Sequence, residues 1–527
     1  MSPDLPCIVF VRSFLHRRDR DDNSEHHARQ DTPKHVDEHT HRRKHSLDSE
    51  KTLTVEDWAT SRENPHNWPR SKTIITSLIV YVYTFVVYAG SSMFITAVPL
   101  VMQELHISEQ RAMLGLSMYV LGYGVGPLLW GPLSEIPRIG RSVVYVGTFV
   151  SFILVTIGAA EVSNYSAFVF LRFMQGLFGS PCLANGGASM HDLYPESQFP
   201  YALALWVAAA YCGPALGPLL TNSLVTHVSW KWSMWLMACI SGPVCILLFL
   251  LPETYAPTIR YRSSAFNTTS TTTNSSSTSN NNDSNSDNPL TKLKFYLVKP
   301  VQITLQDPAI LFANIYTSFI YGTYYTFFDA FPIGYPPVYH VSSLTLSLFY
   351  LSVLVGCFLA VSAYFTYLSL PSYLHKHHHH TSSPKSKSPP PHERHLIPAI
   401  PATILVPISL YLYGWTLRPS IHWIISLIGV TLYAAAVFII LQCLSLYIPS
   451  IYPEYAASLF AANDFCRSTL AAGAVHFGIP LYKNLGMGKG SSVLGGVSGL
   501  GVVGLLGIYF FGGRLRAKSR FVERLVD

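Results

Sequence analysis

Twelve long apolar stretches recur along the chain and constrain its fold more than any other feature of the sequence. A helix of about 20 apolar residues crosses the roughly 30 Å hydrocarbon core of a bilayer. The stretches therefore predict an all-α membrane protein with the lipid bilayer as its surroundings. They lie near residues 73–102, 111–131, 142–160, 166–188, 200–221, 232–251, 308–328, 344–368, 398–417, 421–447, 456–481 and 491–513.

The amount and the position of charge support this prediction. Only 12% of the residues are charged, about half the share of an average soluble protein. The net charge is +7, but the basic residues lie mostly in tails and loops, and stacking aromatic side chains do not alternate with them. This distribution argues against a nucleic-acid partner.

The loop charges also predict an orientation. If both tails are cytoplasmic, the inner loops carry eleven Lys and Arg residues and the outer loops carry five. An excess of Lys and Arg marks the cytoplasmic side of a membrane protein. We therefore expect both termini in the cytoplasm, which requires an even number of spans.

Polar segments divide the chain into five parts. These are a cytoplasmic tail (1–70), six spans (71–252), a cytoplasmic linker (253–307), six more spans (308–513) and a second cytoplasmic tail (514–527). The first tail is too polar to form a core and is expected to be disordered. The Ser-, Thr- and Asn-rich stretch 263–288 is expected to be a flexible linker. The loop 369–397 holds four consecutive histidines; a disordered insert is favoured over a metal site there.

The loop after the second span combines glycine with charge at Gly131, Glu135, Gly140 and Arg141. Glycine permits a tight turn between helices. Glu135 and Arg141 could form an ion pair that locks neighbouring helix ends. An ordinary charged turn is the alternative.

Charged residues inside membrane spans are rare and indicate function. Arg172 should face a cavity or a partner; because a guanidinium keeps its proton, it would act on a nearby carboxylate or water. Bonding to backbone carbonyls is the alternative. Asp329 ends the seventh span, and Asp464 lies in the eleventh with Arg467 one turn away, which predicts an ion pair for transport or for structure. The two aspartates are candidate proton carriers.

The fifth span holds two glycines four residues apart, Gly213 and Gly217, with Pro214 and Pro218 beside them. The glycines let another helix approach closely, and the prolines bend the span. Such a helix can seal one side of a central pathway; plain helix packing is the alternative.

Aromatic residues are dense over 316–335. Apolar walls with a few polar groups suit hydrophobic, weakly specific ligands, although these side chains can also face lipid or core. We expect Tyr324, Tyr325 and Phe328 to line a substrate cavity together with Gln175, which lies near Arg172 on one helical face.

Three of these stretches resemble motifs of the major facilitator superfamily, in its drug:proton antiporter branch of twelve-span fungal transporters. GPLSEIPRIGR (131–141) looks like motif A, LRFMQGLFG (171–179) is similar to the fourth-helix motif B, and CGPALGP (212–218) is similar to the fifth-helix motif C. The benomyl/methotrexate resistance type looks most similar, and polyamine exporters nearly as similar. Two features depart from the pattern: the first-helix acidic position is absent from GSSM (90–93), and 369–397 holds no recognisable second motif A.

The resemblance implies a major facilitator fold, with two six-helix bundles around a central cavity and alternating access by rocking. It implies a monomer that exports small drug-like molecules in exchange for protons. The coupling residues would be Arg172, Asp329, Asp464 and Arg467, and the motifs in 131–141 and 212–218 would act in gating. We expect the plasma membrane rather than the vacuolar membrane.

Two rival hypotheses remain at this point. One is a polyamine or other small-metabolite carrier, and the other is a membrane-embedded enzyme or scaffold without transport. The sequence offers no catalytic constellation, Walker-type loop or paired metal-ligand spacing. We therefore expect no enzyme activity, no cofactor and no metal, and transport driven by an ion gradient.

Overall fold

A computed structural model describes residues 58, 60–271, 302–377, 392–452 and 456–517. Within these ranges the regular structure is helical throughout. The first half of the chain contributes α1 (Arg70–Ser92), α2 (Leu114–Ser134), α3 (Arg141–Glu161), α4 (Tyr165–Gly179), α5 (Phe199–His227) and α6 (Trp232–Phe249). The short helices Val98–Leu105 and Pro181–Leu193 continue α1 and α4 across the membrane.

The second half contributes six more helices. They are α7 (Pro308–Tyr339), α8 (Leu351–His377), α9 (Ala399–Thr416), α10 (Trp423–Ile451), α11 (456–485) and α12 (487–517). Gly486, at φ 77°, separates α11 from α12 within the helical run Ala456–Ala517. A single straight helix of that length would be roughly 90 Å long, about three times the hydrocarbon thickness. The break therefore makes two spans out of one run.

Ten helical stretches in the described residues are long and apolar enough to cross a bilayer. One of them, Leu459–Leu515, contains both α11 and α12. α7 is not among the ten, because tyrosine, threonine and serine make it less apolar, but its 32 residues are ample for a span. With α7 included, a helix lies at each of the twelve predicted spans.

Side chains at the helix starts fix where two of the spans begin. The Asn164 side chain accepts hydrogen bonds from the backbone N–H groups of Ser166 and Ala167 at the start of α4. Asp307 does the same for Ala309 and Ile310 at the start of α7. These bonds satisfy N–H groups that have no partner within the helix.

The molecule is apolar on its outside and more polar within. Phe358, Leu500 and Val503 are each more than 70% exposed, whereas buried positions include Arg172, Gln175 and many hydroxyl side chains. A water-soluble protein has the opposite arrangement. This surface fits a lipid environment, in which polar groups find their partners inside the protein.

The two halves meet mainly along two helix pairs, α2 with α11 and α5 with α8. A Cβ atom built on Gly124 of α2 would lie 2.5 Å from the Cβ of Ser468 on α11. The two helices therefore touch almost backbone to backbone, and this contact belongs to the boundary that must move if the halves rock.

Two expectations about polar segments differ from the structure. The expectation that residues 1–70 are disordered is wrong for residues 60–70. The Asn64 side chain donates to the Trp58 carbonyl and accepts from the His66 N–H. Trp58 is buried, and the Arg260 guanidinium lies 4.4 Å from its ring centroid. A single tryptophan supplies an anchor that the average composition of the tail conceals. Residues 1–57 lie outside the described residues.

The expected flexible linker begins as a helix. Helix Ala256–Thr271 includes residues 263–271 of the polar stretch, so the expectation is wrong for them. Pro257 in the first turn favours a helix start, because proline is already fixed at a helical φ. The remainder of that stretch, 272–288, lies outside the described residues, as do 378–391 of the histidine-containing loop.

Candidate functional site

A cavity lies between the two halves of the chain. Helices α1 and α5 supply its first wall, and α7, α10 and α11 supply the second. Its lining residues are Tyr88, Trp206, Val207, Ala210, Tyr211, Pro214, Tyr321, Tyr324, Leu441, Ser445, Phe460, Asn463, Asp464 and Arg467. Among them only Asp464 and Arg467 are charged, so an aromatic and aliphatic wall faces one ion pair.

The predicted ion pair on α11 is confirmed. Arg467 Nη2 lies 2.5 Å from Asp464 Oδ1 and donates to the Tyr88 hydroxyl at 2.9 Å. The guanidinium also lies 4.9 Å from the ring centroid of Tyr321. Because Tyr88 belongs to α1, the pair connects the two halves through its cation. Asp464 Oδ2 and Arg467 Nε are buried and have no hydrogen-bond partner.

Next to this pair, tyrosine hydroxyls bridge the halves. The Tyr123 hydroxyl of α2 lies 2.9 Å from the Tyr321 hydroxyl and 2.7 Å from the Tyr325 hydroxyl, and both of these tyrosines belong to α7. The Tyr325 hydroxyl lies 3.3 Å from Ser91 Oγ of α1. The network places hydroxyl groups in contact across the same boundary that the Arg467–Tyr88 bond crosses.

Of the four predicted cavity residues, Tyr324 lines the cavity and the other three lie behind its wall. Tyr325 belongs to the hydroxyl network. Phe328 packs on Tyr350, with ring centroids 5.6 Å apart. Gln175 is fully buried inside the first half, where it donates to Thr156 Oγ1. A helical face is wider than a cavity wall, so periodicity alone cannot separate these positions.

Arg172 is fully buried and bonds mainly to the backbone. Its Nε donates to the Gly115 carbonyl at 2.7 Å, its Nη2 to the Gly90 carbonyl at 3.1 Å, and its Nη1 to Gln175 Oε1 at 2.7 Å. The ring centroid of Tyr119 lies 4.4 Å from the guanidinium. These partners correspond to the carbonyl-bonding alternative. They tie α1, α2 and α4 together within the first half, and no carboxylate is among them.

Asp329 is buried in α7, and neither of its carboxyl oxygens has a hydrogen-bond partner. A Cβ atom built on Gly478 of α11 would lie 2.5 Å from Asp329 Oδ2, so backbone closes over the carboxyl group. Asp329 is not part of the cavity wall. An ionised carboxylate without a partner costs several kcal/mol in such a place, and binding a proton removes the part of that cost that is due to the charge.

In the loop after α2, Arg141 pairs with an acid far along the chain. Its Nη1 lies 3.1 Å from Asp192 Oδ2, at the C-terminal end of the fourth span. The ion pair considered from the sequence, with Glu135, is therefore replaced by one with Asp192. Burial raises the pKa of Glu135, and the Arg141 charge opposes that rise. Gly131 has open space around it, so packing does not require glycine there.

The start of α3 is capped by a residue that follows α6. Glu253 Oε1 accepts from the Arg141 N–H at 3.1 Å, and Oε2 accepts from the Ser142 N–H at 3.3 Å and its hydroxyl at 2.9 Å. Gly140 precedes this start at φ 80°, and a Cβ atom there would lie 2.2 Å from Glu253 Oε2. Backbone angle and space therefore both require glycine at position 140.

The fifth-helix glycines allow α5 to pack closely on α1, as predicted. A Cβ atom at Gly213 would lie 2.7 Å from the Ala89 nitrogen, and one at Gly217 would lie 2.9 Å from the Ala89 carbonyl oxygen. Pro214 reaches the cavity wall, and Pro218 is buried within the helix. The motif thus fixes one corner of the cavity against α1.

Polar side chains join the halves more often at one face than at the other, among the described residues. In the expected orientation, with both termini in the cytoplasm, the outer face is the one where α1 continues into Val98–Leu105. Its pairs are Ser343 with Asn222, His476 with Ser117, His476 with Gln110, and Lys483 with Glu109. The inner pairs are Gln442 with the Pro200 carbonyl and Tyr201 with Ser369. The described state is therefore held together most firmly at its outer face.

Several residues of this site were not singled out from the sequence. Asp192 carried a weak signal, since it is an acid just after a predicted span. Tyr88, Tyr123 and His476 carried none, because a tyrosine or histidine in an apolar stretch looks the same whether it faces lipid or a partner helix. Their roles depend on which helices become neighbours.

Two helical halves, a cavity between them and one ion pair in its wall define a polytopic membrane transporter with two bundles. The sequence profile of the Major Facilitator Superfamily matches residues 80–475. The chain belongs to this family, which consists of transporters rather than enzymes.

Relatives agree over most of the chain. The chain is 34% identical to the Fluconazole resistance protein 1 of Saccharomyces cerevisiae, over 88% of this chain and 83% of that protein. It is 32% identical to the Cycloheximide resistance protein of Candida maltosa, over 90% and 86%. Among solved structures, the proton:xylose symporter XylE shares the fold, with a TM-score of 0.57, 13% identity, and coverage of 84% of this chain and 96% of XylE.

Proposed function

We propose that this transporter exports small drug-like molecules in exchange for protons by alternating access. The names of the relatives, which refer to resistance to fluconazole and cycloheximide, support the substrate class. The observation that carries the proposal is the Asp464–Arg467 pair. It lies in the cavity wall between the two halves and reaches across to Tyr88.

Proton exchange would act at Asp464. The charged or titratable side chains around it are Arg467 on its own helix, Tyr88 on α1, Tyr321 on α7 and Cys182 next to α4. A proton on Asp464 removes its charge attraction for Arg467. Arg467 is then free to change partners, and its bond to Tyr88 is one of the ties between the halves. Protonation thus alters a contact that must break when the bundles rock.

Asp329 is a second candidate for the proton. It lies in α7, is buried without a hydrogen-bond partner and is separate from the cavity. The charges that act on it are those of Glu109 and Lys483 at the outer face. We assign it to proton entry from outside, and Asp464 to coupling at the cavity.

The gating elements have different partners. The α5 motif acts between α5 and α1 at the cavity, and the outer polar pairs act between the two halves at the outer face. The Arg141–Asp192 and Glu253 contacts stay inside the first half, so they hold the inner loops of one bundle as a unit. Arg172 acts as a clamp within the same bundle rather than at the moving boundary.

A polyamine carrier is less well supported. Several carboxylates would be needed to bind a polyvalent cation, but Asp464 is the one acid in the cavity wall, and Arg467 already faces it. We further propose that the protein acts as a monomer in the plasma membrane, with both termini in the cytoplasm and residues 253–307 connecting two six-helix bundles.

The test is efflux of the fluorescent dye rhodamine 6G from intact yeast cells that lack their own drug pumps. Wild-type protein should export the dye, and a protonophore should abolish export. Asp464→Asn should reach the surface and lose at least about 90% of the gradient-driven rate, which corresponds to about 1.4 kcal/mol in the barrier. Glu161→Gln, an exposed acid at the end of α3, is the matched control. Full gradient-driven export by Asp464→Asn would show that coupling lies elsewhere.

A further inference from the structure

The polar groups of the residues that line the cavity are not all hydrogen-bonded within the protein. Asn463 Nδ2 already donates to Asn314 Oδ1 and Thr317 Oγ1, each at 2.8 Å. Trp206 Nε1 donates to Thr84 Oγ1 at 3.1 Å. These groups are satisfied within the protein, so they contribute shape rather than free hydrogen-bonding capacity.

Asp464, Arg467 and Tyr211 differ from them. Asp464 Oδ2, Arg467 Nε and the Tyr211 hydroxyl are buried, yet none has a hydrogen-bond partner. The side chain of Asp464 is only 6% exposed. Buried polar atoms in folded proteins are almost always bonded. Unpartnered atoms on three residues of one cavity wall therefore indicate where a ligand supplies the missing partners.

Two of these atoms form a matched set. Asp464 Oδ2 can only accept a hydrogen bond when the carboxylate is ionised, and Arg467 Nε can only donate. Both side chains are already joined through Oδ1 and Nη2, which fixes the carboxylate next to the guanidinium. The joined pair thus carries one acceptor and one donor that have no partner.

The rest of the cavity is suited to a flat body. Tyr211 and Tyr324 lie with ring centroids 5.4 Å apart, and Trp206, Val207 and Pro214 continue this wall along α5. Aromatic side chains bind planar rings by stacking and edge-on contact. A ligand would present a ring system to α5 and a polar edge to α11.

We propose that the cavity selects planar molecules whose edge carries an N–H donor beside a hydrogen-bond acceptor, as a lactam or imide does. The N–H donates to Asp464 Oδ2, and the neighbouring carbonyl accepts from Arg467 Nε. This inference rests on the proposed function in one respect, that the transported molecule occupies this cavity. A fixed cation without N–H groups leaves both atoms unpaired and is a poor ligand.

The test compares 2-quinolone with 1-methyl-2-quinolone, which differ by one methyl group on the nitrogen. Binding of tritiated 2-quinolone to the purified full-length protein is measured at equilibrium, with each compound as competitor. The methyl compound should bind at least about 10-fold more weakly, since it leaves a buried carboxylate oxygen unpaired. Equal binding of the two compounds, or no binding of 2-quinolone, overturns the proposal.

Asp464→Asn sharpens the test. Arg467 needs an acceptor, so the amide of the introduced asparagine should turn its carbonyl oxygen toward Arg467. The NH₂ group then occupies the position of Oδ2, and a donor faces the N–H of the ligand. The preference for 2-quinolone should fall to within about twofold, whereas Glu161→Gln should retain it. A preference that survives Asp464→Asn would also overturn the proposal. Because binding is measured without a gradient, its outcome is independent of whether export is proton-driven.

Discussion

Each half of the molecule places an arginine within a span, Arg172 fully buried and the Arg467 side chain 13% exposed, and the two sites differ in what surrounds the guanidinium. Arg172 in the first half bonds to the carbonyls of Gly90 and Gly115 and to a glutamine. Arg467 in the second half bonds to the carboxylate of Asp464 and the hydroxyl of Tyr88. Only the second site contains an acid that can take up a proton, and only the second joins the two halves.

We interpret this difference as the distinction between a structural arginine and one that acts in transport. A cation held by carbonyl dipoles has partners that do not change with pH, so its contribution is constant through a cycle. A cation held by a carboxylate in a cavity has a partner whose charge can change. Both arginines lie within a span, so we expect the partner, rather than the location, to decide the role. The following substitutions test this separation.

The largest expected effect is on Arg172. Arg172→Ala leaves two carbonyls and the Gln175 amide without their donor in the apolar interior. It should destabilise the fold by about 3 kcal/mol or more. The measurement is the melting temperature and yield of purified protein. Arg111→Ala, an exposed arginine, is the control, and wild-type melting of Arg172→Ala would contradict the structural role.

Two glycines on α2, one beside each arginine site, allow the sites to be tested by adding a methyl group to a close contact. A Cβ atom at Gly115 would lie 2.5 Å from the Phe94 ring next to Arg172, and one at Gly124 would lie 2.5 Å from Ser468 beside the Asp464 pair. Each alanine should cost about 1–3 kcal/mol. Gly115→Ala should lower the melting temperature, since its contact is inside one bundle.

Gly124→Ala should mainly lower the export rate, because its contact lies between the halves and the halves can separate. Gly131→Ala, with open space around it, serves as the control for both. Melting and dye efflux are measured on the same preparations. If Gly124→Ala lost stability and kept its export rate, the α2–α11 contact would not be part of the moving boundary.

Replacement of each arginine by lysine should give opposite results. Lysine keeps the charge but loses the planar set of five donors. Arg467→Lys should reduce gradient-driven export about 10-fold, or about 1.4 kcal/mol, with little change in melting temperature. Arg172→Lys should lower the melting temperature and leave the gradient dependence of the remaining export intact. The comparison fails if both variants lose the same property.

The smallest expected effect is at the neighbouring tyrosines. Tyr88→Phe removes the hydroxyl that accepts from Arg467, worth about 1 kcal/mol, and should slow export a few-fold at a normal surface level. Tyr119→Phe keeps the ring that faces Arg172 and loses only a bond to the Val87 carbonyl. Its export should keep the wild-type dependence on the gradient. Efflux over a series of imposed pH differences distinguishes the two variants.

Local features of the fold could be predicted because they depend on residues close together in sequence. The Asp464–Arg467 pair follows from one helical turn, and the close contact of Gly213 and Gly217 follows from their spacing. Each span is an apolar run long enough to cross the bilayer. The exception among the spans is α7, whose hydropathy is lowered by the tyrosines and threonines that pack inside the protein.

Partners distant in sequence could not be predicted. Arg141 had an acid six residues away, yet its partner is Asp192, because the turn brings the fourth span closer than Glu135. Tyr324 and Tyr325 are adjacent, and only the helix orientation decides that one lines the cavity while the other bonds to Tyr123. Sequence patterns give the face of a helix, whereas the identity of a neighbour comes from the packing of all twelve.

The cap that Glu253 places on α3 has a consequence for synthesis of the chain. The α3 backbone enters the membrane more than a hundred residues before its capping carboxylate leaves the ribosome. Until then the N–H groups of Arg141 and Ser142 must be satisfied by water or lipid head groups at the membrane surface. The first bundle is therefore completed at a defined moment, when the residues after α6 emerge, and a nascent chain stalled before residue 253 holds six helices without that closure.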